Sequence, residues 1–308
     1  MPFAKRRSNW SVSSVVRMRR PTVMPDDIKV SGSLAMLADF GAAAGSASLR
    51  VLLRSEAFCV ERLRLAPGER DSIASEEEFF LLAPSRAPSL VSLECGGDHH
   101  VSHSVVILPP GRHDVAAIRD EVELFVIATT RTDISMDSAA NADRYIVPNE
   151  RVKPVGQPFL RLGGEASVQI YPIDETPFPE GNPRLKFFQT KTMSINWVEY
   201  EGGRDRTSLS PHSHADFEQG SLAIMGSFIH HLREPWGKNA DLWREDEHLE
   251  APPGTLLVVP PGIVHTTEGV GEARHILIDI FAPPRSDFLA KGWMHNGHLY
   301  EKTHEEEV

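Results

Sequence analysis

The chain has 308 residues, of which 41% are apolar and 24% charged, as in a soluble globular protein of about two domains. No apolar run reaches the ~18 residues of a membrane helix, and the net charge of −11 argues against nucleic-acid binding. Many Gly and Pro residues with few aromatics favour an all-β protein. Two cysteines, Cys59 and Cys95, are too few for a disulfide framework, so we expect a reducing compartment and a cytoplasmic location.

The first predicted segment, residues 1–27, is basic and rich in Ser and Arg. This composition is shared by transit peptides and by disordered tails, and we interpret the segment as a tail. Residues 33–44 then predict a short helix, with Ser33 as its N-cap and alanines in its interior.

Short apolar runs recur between turn residues from about residue 50 onward, beginning with LRVLLR and FCVERLRL. Their spacing predicts a first β-barrel or sandwich over 28–130. Residues 131–183 lack periodicity and predict a surface linker with an edge strand at 167–172. A second strand series predicts another barrel over 184–285, and residues 286–308 predict a C-terminal tail with a short helix near 286–291.

An internal repeat links the two strand series. Residues 108–113 read LPPGRH and residues 259–265 read VPPGIVH, each directly after a β-branched run. Gly111 and Gly262 lie 151 residues apart, about half the chain. A period this long indicates two duplicated domains, since solenoid repeats span only ~20–50 residues.

Residues 211–218, PHSHADFE, carry the residue types of a metal site. His212 and His214 are two residues apart and point to the same side of a strand. Glu218 follows four residues after His214, and His265 ends the second PPG segment. Three imidazoles and a carboxylate suit iron, manganese, nickel, cobalt or zinc.

This pattern resembles the two motifs of the cupin superfamily. His-x-His, three residues and Glu match the first motif, although Gly226, eight residues after Glu218, is one residue late. Gly254, five residues, Pro260-x-Gly262, two residues and His265 match the second motif. The resemblance implies a jelly-roll barrel in which His212, His214, Glu218 and His265 bind one divalent metal ion, for which we favour Fe(II) over Mn, Zn, Ni or Co.

The first half resembles a cupin only in outline. LPPGRH is similar to the second motif, but residues 65–83 contain no His-x-His. We therefore predict two tandem jelly-roll cupin barrels, the first degenerate and without a complete metal site. Because cupin barrels pair through their sheets, we expect barrels packed on each other or a homodimer.

Four further residues are candidate catalytic groups. Consecutive strand positions send one of His230 and His231 inward and one outward, and a structural role for both is the alternative. His275 and Asp279 share one face of the strand RHILIDIF, which either lines the pocket, orients a ligand or is exposed. The tract containing His99, His100 and His103 predicts a solvated turn.

Three residues are candidate substrate contacts. Arg233 and Arg274 suit a substrate carboxylate, unless both are simply solvated. Trp236 lies in the long polar loop 232–248, which predicts a lid or binding loop, with a dimer contact or surface insertion as the alternative.

These features predict a metal-dependent enzyme acting on a small polar or anionic molecule. A non-haem Fe(II) dioxygenase is the first hypothesis, on family breadth alone. A Mn-, Zn- or Ni-dependent isomerase, decarboxylase or lyase is the second, and a non-catalytic ligand-binding bicupin is the third. We expect no nucleic-acid or membrane partner.

Overall fold

The computed structural model describes residues 30–31, 34–41, 49–93, 97–130, 135–164, 167–240 and 243–303. The predicted tail at 1–27 and the predicted cap Ser33 lie outside these ranges, as does Cys95. Cys59 is buried and free. No helix within the described ranges is long and apolar enough to cross a membrane.

The first part of the chain forms strands β1 to β13 and two short 3-10 helices at Met136–Ser138 and Ala142–Tyr145. The strands are β1 Val30–Ser31, β2 Met36–Asp39, β3 Leu49–Arg54, β4 Phe58–Leu65, β5 Arg70–Ser75, β6 Phe79–Ala83, β7 Ser89–Leu93, β8 Asp98–Val101, β9 Ser104–Leu108, β10 Gly111–Ala117, β11 Val122–Thr129, β12 Leu160–Arg161 and β13 Gln169–Pro172.

The second part forms strands β14 to β22, with 3-10 helices at Arg206–Ser208 and Gly297–Leu299. The strands are β14 Leu185–Gln189, β15 Ser194–Glu201, β16 Gln219–Met225, β17 Ser227–Arg233, β18 Glu247–Ala251, β19 Thr255–Val259, β20 Val264–Val270, β21 Arg274–Phe281 and β22 Tyr300–Glu301. The predicted C-terminal helix is confirmed as α1, Ser286–Ala290.

Each half is a sandwich of one large and one small antiparallel sheet. In the first half the large sheet has the order β13-β9-β6-β11-β4-β3 and the small sheet β5-β10-β7-β8. In the second half the orders are β1-β2-β19-β16-β21-β15-β14 and β18-β17-β20. Two packed antiparallel sheets with these crossovers form a jelly roll, which confirms the predicted all-β fold with two barrels.

The strand pairings of the first half recur in the second. β9 lies beside β6 and β10 beside β7, as β19 lies beside β16 and β20 beside β17. The two PPG segments form the equivalent connections β9–β10 and β19–β20, each of which leads from the large sheet to the small sheet of its barrel. The repeat read from LPPGRH and VPPGIVH is therefore a repeat of structure.

Two strands from outside the repeat complete the large sheets. β13 pairs with β9 and confirms the predicted edge strand, whereas β2 pairs with β19 of the second barrel. The helix predicted over 33–44 is therefore wrong for Met36–Asp39. Leu34 and Ala35 are buried against the second barrel, so edge pairing and burial outweigh local helix propensity there.

The two large sheets pack against each other and form an apolar core between the barrels, the inter-barrel core. Its side chains come from both barrels and are buried. Those that are at most 1% exposed include Leu53, Phe58, Phe80, Ile107, Phe125, Trp197, Leu222, Leu256 and Ile278. Separate apolar clusters fill the two barrel interiors. The strands of the large sheets are thus buried on both faces, which explains continuous apolar runs such as FFLLA in β6.

Gly220 lets the two large sheets approach closely. A Cβ added there would lie 2.6 Å from Phe58 Cζ and 3.2 Å from Ile280 Cβ. We therefore expect Gly220→Ala to lower the free energy of unfolding by roughly 1–3 kcal/mol, the usual cost of overpacking a core. Urea denaturation measures the change.

Gly237→Ala is the matched control, because a Cβ at Gly237 would have nothing within 4 Å. Equal unfolding free energies for the two variants would contradict the close approach of the barrels.

Candidate metal centre

Three of the four predicted metal ligands come together at one end of the second barrel. His212 and His265 exchange backbone hydrogen bonds of 3.0 and 2.8 Å, and the carbonyl of His214 accepts from Gly262 N–H at 2.7 Å. The segment before β16 therefore runs alongside β20. One ring nitrogen of each histidine lies within 4.8 Å of the others, and His212 is exposed to solvent.

Two of these imidazoles are held in a defined tautomer. His212 Nδ1 donates to the carbonyl of Ser210 at 2.9 Å, and His265 Nδ1 donates to the carbonyl of Ile263 at 2.9 Å. Burial lowers the pKa of His265 to about 4, so that its ring is neutral at pH 7. Nε2 of each ring then carries a lone pair, as in histidines whose other nitrogen is held by a carbonyl while they bind a metal.

Glu218, the fourth predicted ligand, lies elsewhere. Its carboxylate accepts the backbone N–H groups of Glu56 and Ala57 of the first barrel at 3.0 and 3.2 Å. It is 2% exposed, and burial raises its pKa to about 7. The structure thus places the Glu218 carboxylate on the face of the large sheet that meets the other barrel, and does not bring it to the histidines.

Gln219 occupies the place predicted for Glu218. Its Oε1 lies 2.9 Å from His214 Nε2 and 3.1 Å from His265 Nε2. The sequence supports this assignment, because Gly226 lies seven residues after Gln219, which is the spacing of the first motif, whereas it lies eight residues after Glu218. Gly226 has φ +79°, which suits glycine at the turn between β16 and β17.

The amide of Gln219 is oriented by groups deeper in the barrel. Its Nε2 donates to Asp279 Oδ1 at 3.1 Å and to Ser221 Oγ at 3.3 Å. Asp279 also accepts from Ser221 Oγ at 2.9 Å and from Asn196 Nδ2 at 3.2 Å, and burial raises its pKa. Asp279 is therefore a positioning residue, one of the alternatives predicted for it.

The four side chains fit a divalent cation. With Nδ1–H committed to a backbone carbonyl, Nε2 of neutral His265 presents a lone pair to the carbonyl oxygen of Gln219. If the amide of Gln219 were reversed, its oxygen would instead face the carboxylate of Asp279, which is again a contact between two acceptors. A cation resolves this contact between two acceptors, and imidazole and amide donors suit first-row divalent metals.

His230 faces the same barrel interior. It is 1% exposed, its Nδ1 lies 2.9 Å from Thr267 Oγ1, and its Nε2 is buried without a partner among the described residues. Burial lowers its pKa to about 3, so the ring is neutral at pH 7. A buried polar atom without a partner is costly and points to a ligand or a water molecule.

Arg204 was missed in the sequence, because it lies in an irregular segment with no periodic pattern. It donates to the carbonyl of Thr267 at 3.0 Å and to Ser210 Oγ at 3.3 Å, while its Nε is buried without a partner among the described residues. Burial and the nearby charge of Arg184 lower its pKa, and the charge of Asp279 acts in the opposite direction. The guanidinium is thus a half-buried cation whose side-chain hydrogen bonds go to neutral groups.

Two predicted catalytic residues lie away from the histidines. His231 points outward, with Nδ1 2.8 Å from His248 Nδ1 and Nε2 3.0 Å from Glu268 Oε2. His275 is buried at the other end of β21 from Phe281, and its Nε2 lies 3.0 Å from the carbonyl of Val270. Both nitrogens of His231 are thus engaged, whereas His275 Nδ1 is buried without a partner among the described residues and its ring packs against Tyr200 and Phe228.

The predicted substrate contacts also lie outside the barrel interior. Arg233 forms an exposed ion pair with Asp246 at 2.6 Å, and Arg274 pairs with Glu199 on the outer face of the sheet. Trp236 is 73% exposed and stacks on Trp243, with ring centroids 4.6 Å apart. Sequence position alone did not show which face of a strand or loop these side chains occupy.

The first barrel lacks this constellation. His113 pairs with Ile73 across β10 and β5, and Gly111 pairs with Ser75, as His265 and Gly262 pair with His212 and His214. Phe79 starts β6 where Gln219 starts β16. Only one of the four equivalent positions holds a residue that commonly binds metals, namely His113; the others are Ile73, Ser75 and Phe79. The first barrel is therefore degenerate, as predicted.

Comparison with protein-family models gave no match, and no curated protein matched in sequence. Solved structures match the fold. A formate complex of oxalate decarboxylase from Lactobacillus farciminis is 12% identical, covering 92% of this chain and 91% of its own, with a TM-score of 0.51. A single-residue variant of the oxalate decarboxylase of Bacillus subtilis is 14% identical (89% and 78% covered, TM-score 0.50). AerE from Microcystis aeruginosa is 11% identical (83% and 96% covered, TM-score 0.50).

The amide of Gln219, and not the carboxylate of Glu218, is expected to contribute to metal binding. Gln219→Leu should weaken metal affinity at least tenfold, because it removes an oxygen donor beside His214 and His265. Glu218→Gln should keep full occupancy, and His212→Ala/His214→Ala should lose the metal. Elemental analysis of the reconstituted proteins measures occupancy.

Glu218→Gln serves as the matched control, since it changes the adjacent residue, whose side chain points to the opposite face of the sheet. Loss of metal from Glu218→Gln together with full occupancy in Gln219→Leu would reverse the assignment.

Proposed function

We propose that this chain, which has the two-barrel fold of the cupin superfamily, is a metal-dependent enzyme that acts on a small organic anion by proton transfer, as a decarboxylase, lyase or isomerase. The observation that carries the proposal is the free Nε2 of His230. It lies in the interior of the barrel that holds the three histidines and Gln219, and no described residue engages it.

The metal would be held by His212, His214, His265 and Gln219. When bound, a divalent ion acts as a Lewis acid that polarises a carbonyl or carboxylate oxygen of the substrate. The carboxylate that distinguishes the common two-histidine triad of non-haem iron oxygenases is not in this cluster, because Glu218 binds the first barrel. The preference for Fe(II) rested on family breadth and gains no support from these residues, so we propose a first-row divalent ion without further choice.

His230 is the proposed proton-transfer residue. Its neutral ring can accept or release a proton through Nε2, while Thr267 holds Nδ1 and fixes the ring plane. A positioned acid or base contributes typically 10²–10⁴-fold in rate. Asp279 acts through Gln219 and not on substrate, because its carboxylate is committed to three neighbours.

Arg204 is the proposed partner of the substrate's negative charge. Its side-chain hydrogen bonds go to a carbonyl and a hydroxyl, and its Nε is free of partners among the described residues. Guanidinium binds a carboxylate through two parallel hydrogen bonds. We therefore assign to Arg204 the role predicted for Arg233 and Arg274.

A dioxygenase is the second candidate, because His212 is exposed and the cluster is open to dissolved oxygen as well as to substrate. Metal-loaded protein incubated with a panel of small mono- and dicarboxylic acids, with carbon dioxide release, isomer formation and oxygen uptake recorded together, separates the candidates. Turnover without oxygen uptake supports the proposal, oxygen uptake supports the dioxygenase, and tight binding without turnover supports a ligand-binding module.

With a substrate from this panel, His230→Gln should lose at least 10²-fold in kcat while keeping its metal, because it removes the proton-transfer group. His231→Gln is the matched control, because the neighbouring ring points outward to His248. Steady-state kinetics and metal analysis measure the two effects. Equal activity of the two variants would remove His230 from the mechanism.

Replacement of the proposed anion-binding residue should act mainly on substrate affinity. Arg204→Gln should raise KM for a carboxylate substrate at least tenfold, since it removes a charge-assisted contact. Arg233→Gln is the control, because its guanidinium pairs with Asp246 at the surface. An unchanged KM in Arg204→Gln would show that the substrate charge is bound elsewhere.

A further inference from the structure

A cavity lies outside the metal-binding barrel, between the inter-barrel segment 173–184 and the large sheet of the second barrel. It has a volume of about 340 Å³, and we call it the inter-barrel cleft. Its apolar wall is formed by Ile173, Phe178, Trp197 and Tyr200. Its volume falls in the range of small-ligand sites, ~300–1,000 Å³.

His103 supports the floor of this cleft. It was predicted to lie in a solvated turn, but it is 4% exposed and has φ 42°, a left-handed conformation rare for residues other than glycine. Its Nε2 lies 3.1 Å from Glu199 Oε2, and its Nδ1 lies 3.2 Å from Asp174 Oδ1. The exposed Glu201 also lines the cleft and lies 3.9 Å from Arg274 Nε, so His103 connects two of its three carboxylates, Asp174 and Glu199.

Both of these carboxylates are already neutralised. Glu199 pairs with Arg274 and accepts from Trp197 Nε1 at 2.8 Å, in addition to its contact with His103. Asp174 is held by Arg86 through two contacts, which lower its pKa to about 2. Each of these carboxylates therefore already has a cationic partner in direct contact, and the charge of Asp174 also acts on Lys186 from beyond contact distance.

The cations that remain are Lys186 and Arg184. Lys186 is 8% exposed, and its ammonium donates to the carbonyl of Ile173 and lies 4.7 Å from the centre of the Phe178 ring. Among the described residues, no carboxylate lies within 4.0 Å of its Nζ. Arg184, two residues earlier, lines the rim of the same cleft and is exposed. Burial lowers the pKa of Lys186, and the charge of Asp174 acts in the opposite direction. Because this buried ammonium has no carboxylate in direct contact among the described residues, a bound anion would offset the cost of its burial.

We propose that the inter-barrel cleft binds a small organic anion with an aromatic or apolar body. Lys186 bonds the anionic group, Arg184 attracts it at the rim, and Phe178 and Trp197 contact its body. The carbonyl of Ile173 and the ring of Phe178 hold the ammonium in place before binding, so little side-chain order is lost when the anion arrives. This site is separate from the proposed function, because none of the metal-cluster residues lines it.

The probe for this site is 4-iodobenzoate, whose iodine gives an anomalous X-ray signal and whose carboxylate supplies the charge. In crystals of the full chain we expect iodine between Phe178 and Trp197. In calorimetry, Lys186→Met should raise the Kd at least tenfold and Arg184→Gln severalfold, while Lys302→Met, at an exposed position, should leave it unchanged. The neutral analogue 4-iodobenzamide should not bind.

Three results would overturn the proposal. They are iodine found only in the metal-binding barrel, equal affinity for the amide and the carboxylate, or unchanged affinity in both Lys186→Met and Arg184→Gln. Thermal melting checks that each variant is folded, and Arg184→Gln keeps the test decisive if Lys186→Met does not fold, because Arg184 is exposed. His212→Ala/His214→Ala should bind the probe normally, which separates failure of this site from failure of the proposed function.

Discussion

The face-to-face packing of the two large sheets determines how every strand in them is used. A strand in an ordinary sandwich has one buried face, whereas these strands have one face in a barrel interior and the other in the inter-barrel core. Successive residues of such a strand therefore serve two different environments. Of two adjacent residues in such a strand, one has its side chain in the barrel interior and the other has its side chain in the inter-barrel core.

Glu218 and Gln219 show the consequence most directly. The acidic side chain goes to the interface, where two backbone N–H groups of the first barrel stabilise its buried carboxylate. The amide goes to the barrel interior, where Asp279 turns its oxygen toward the histidines. The metal cluster thus has four neutral donors, and a bound divalent ion would keep its full charge for an anionic substrate.

The sequence predicted those parts of the fold that depend on period and turn chemistry. Alternating strands, the two PPG turns and the His-x-His pair were readable because each is a local pattern with one structural solution. The choice between His230 and His231 was not readable, since alternation allows either to face inward. Arg204 and Lys186 were missed for a related reason: neither has a carboxylate in direct contact among the described residues, which is a property of the folded arrangement and not of neighbouring residues in the sequence. Met36–Asp39 failed as a helix because the edge of β19 is completed by this segment.

The two barrels share the PPG turn but not the metal-ligand residues, so comparing them shows which features belong to the fold and which to the metal site. The first barrel keeps the PPG turn and a buried histidine, His113, yet Ile73 and Phe79 fill the space in which the second barrel has His212 and Gln219. The ring of His113 lies 5.8 Å from that of Phe79, and its Nε2 turns back to the carbonyl of Pro109 at 2.9 Å. A PPG-x-His segment alone is therefore evidence for the jelly-roll connection between the two sheets and not for a metal. Evidence for a metal comes from the residues that face this segment, which are His212 and Gln219 in the second barrel and the apolar Ile73 and Phe79 in the first.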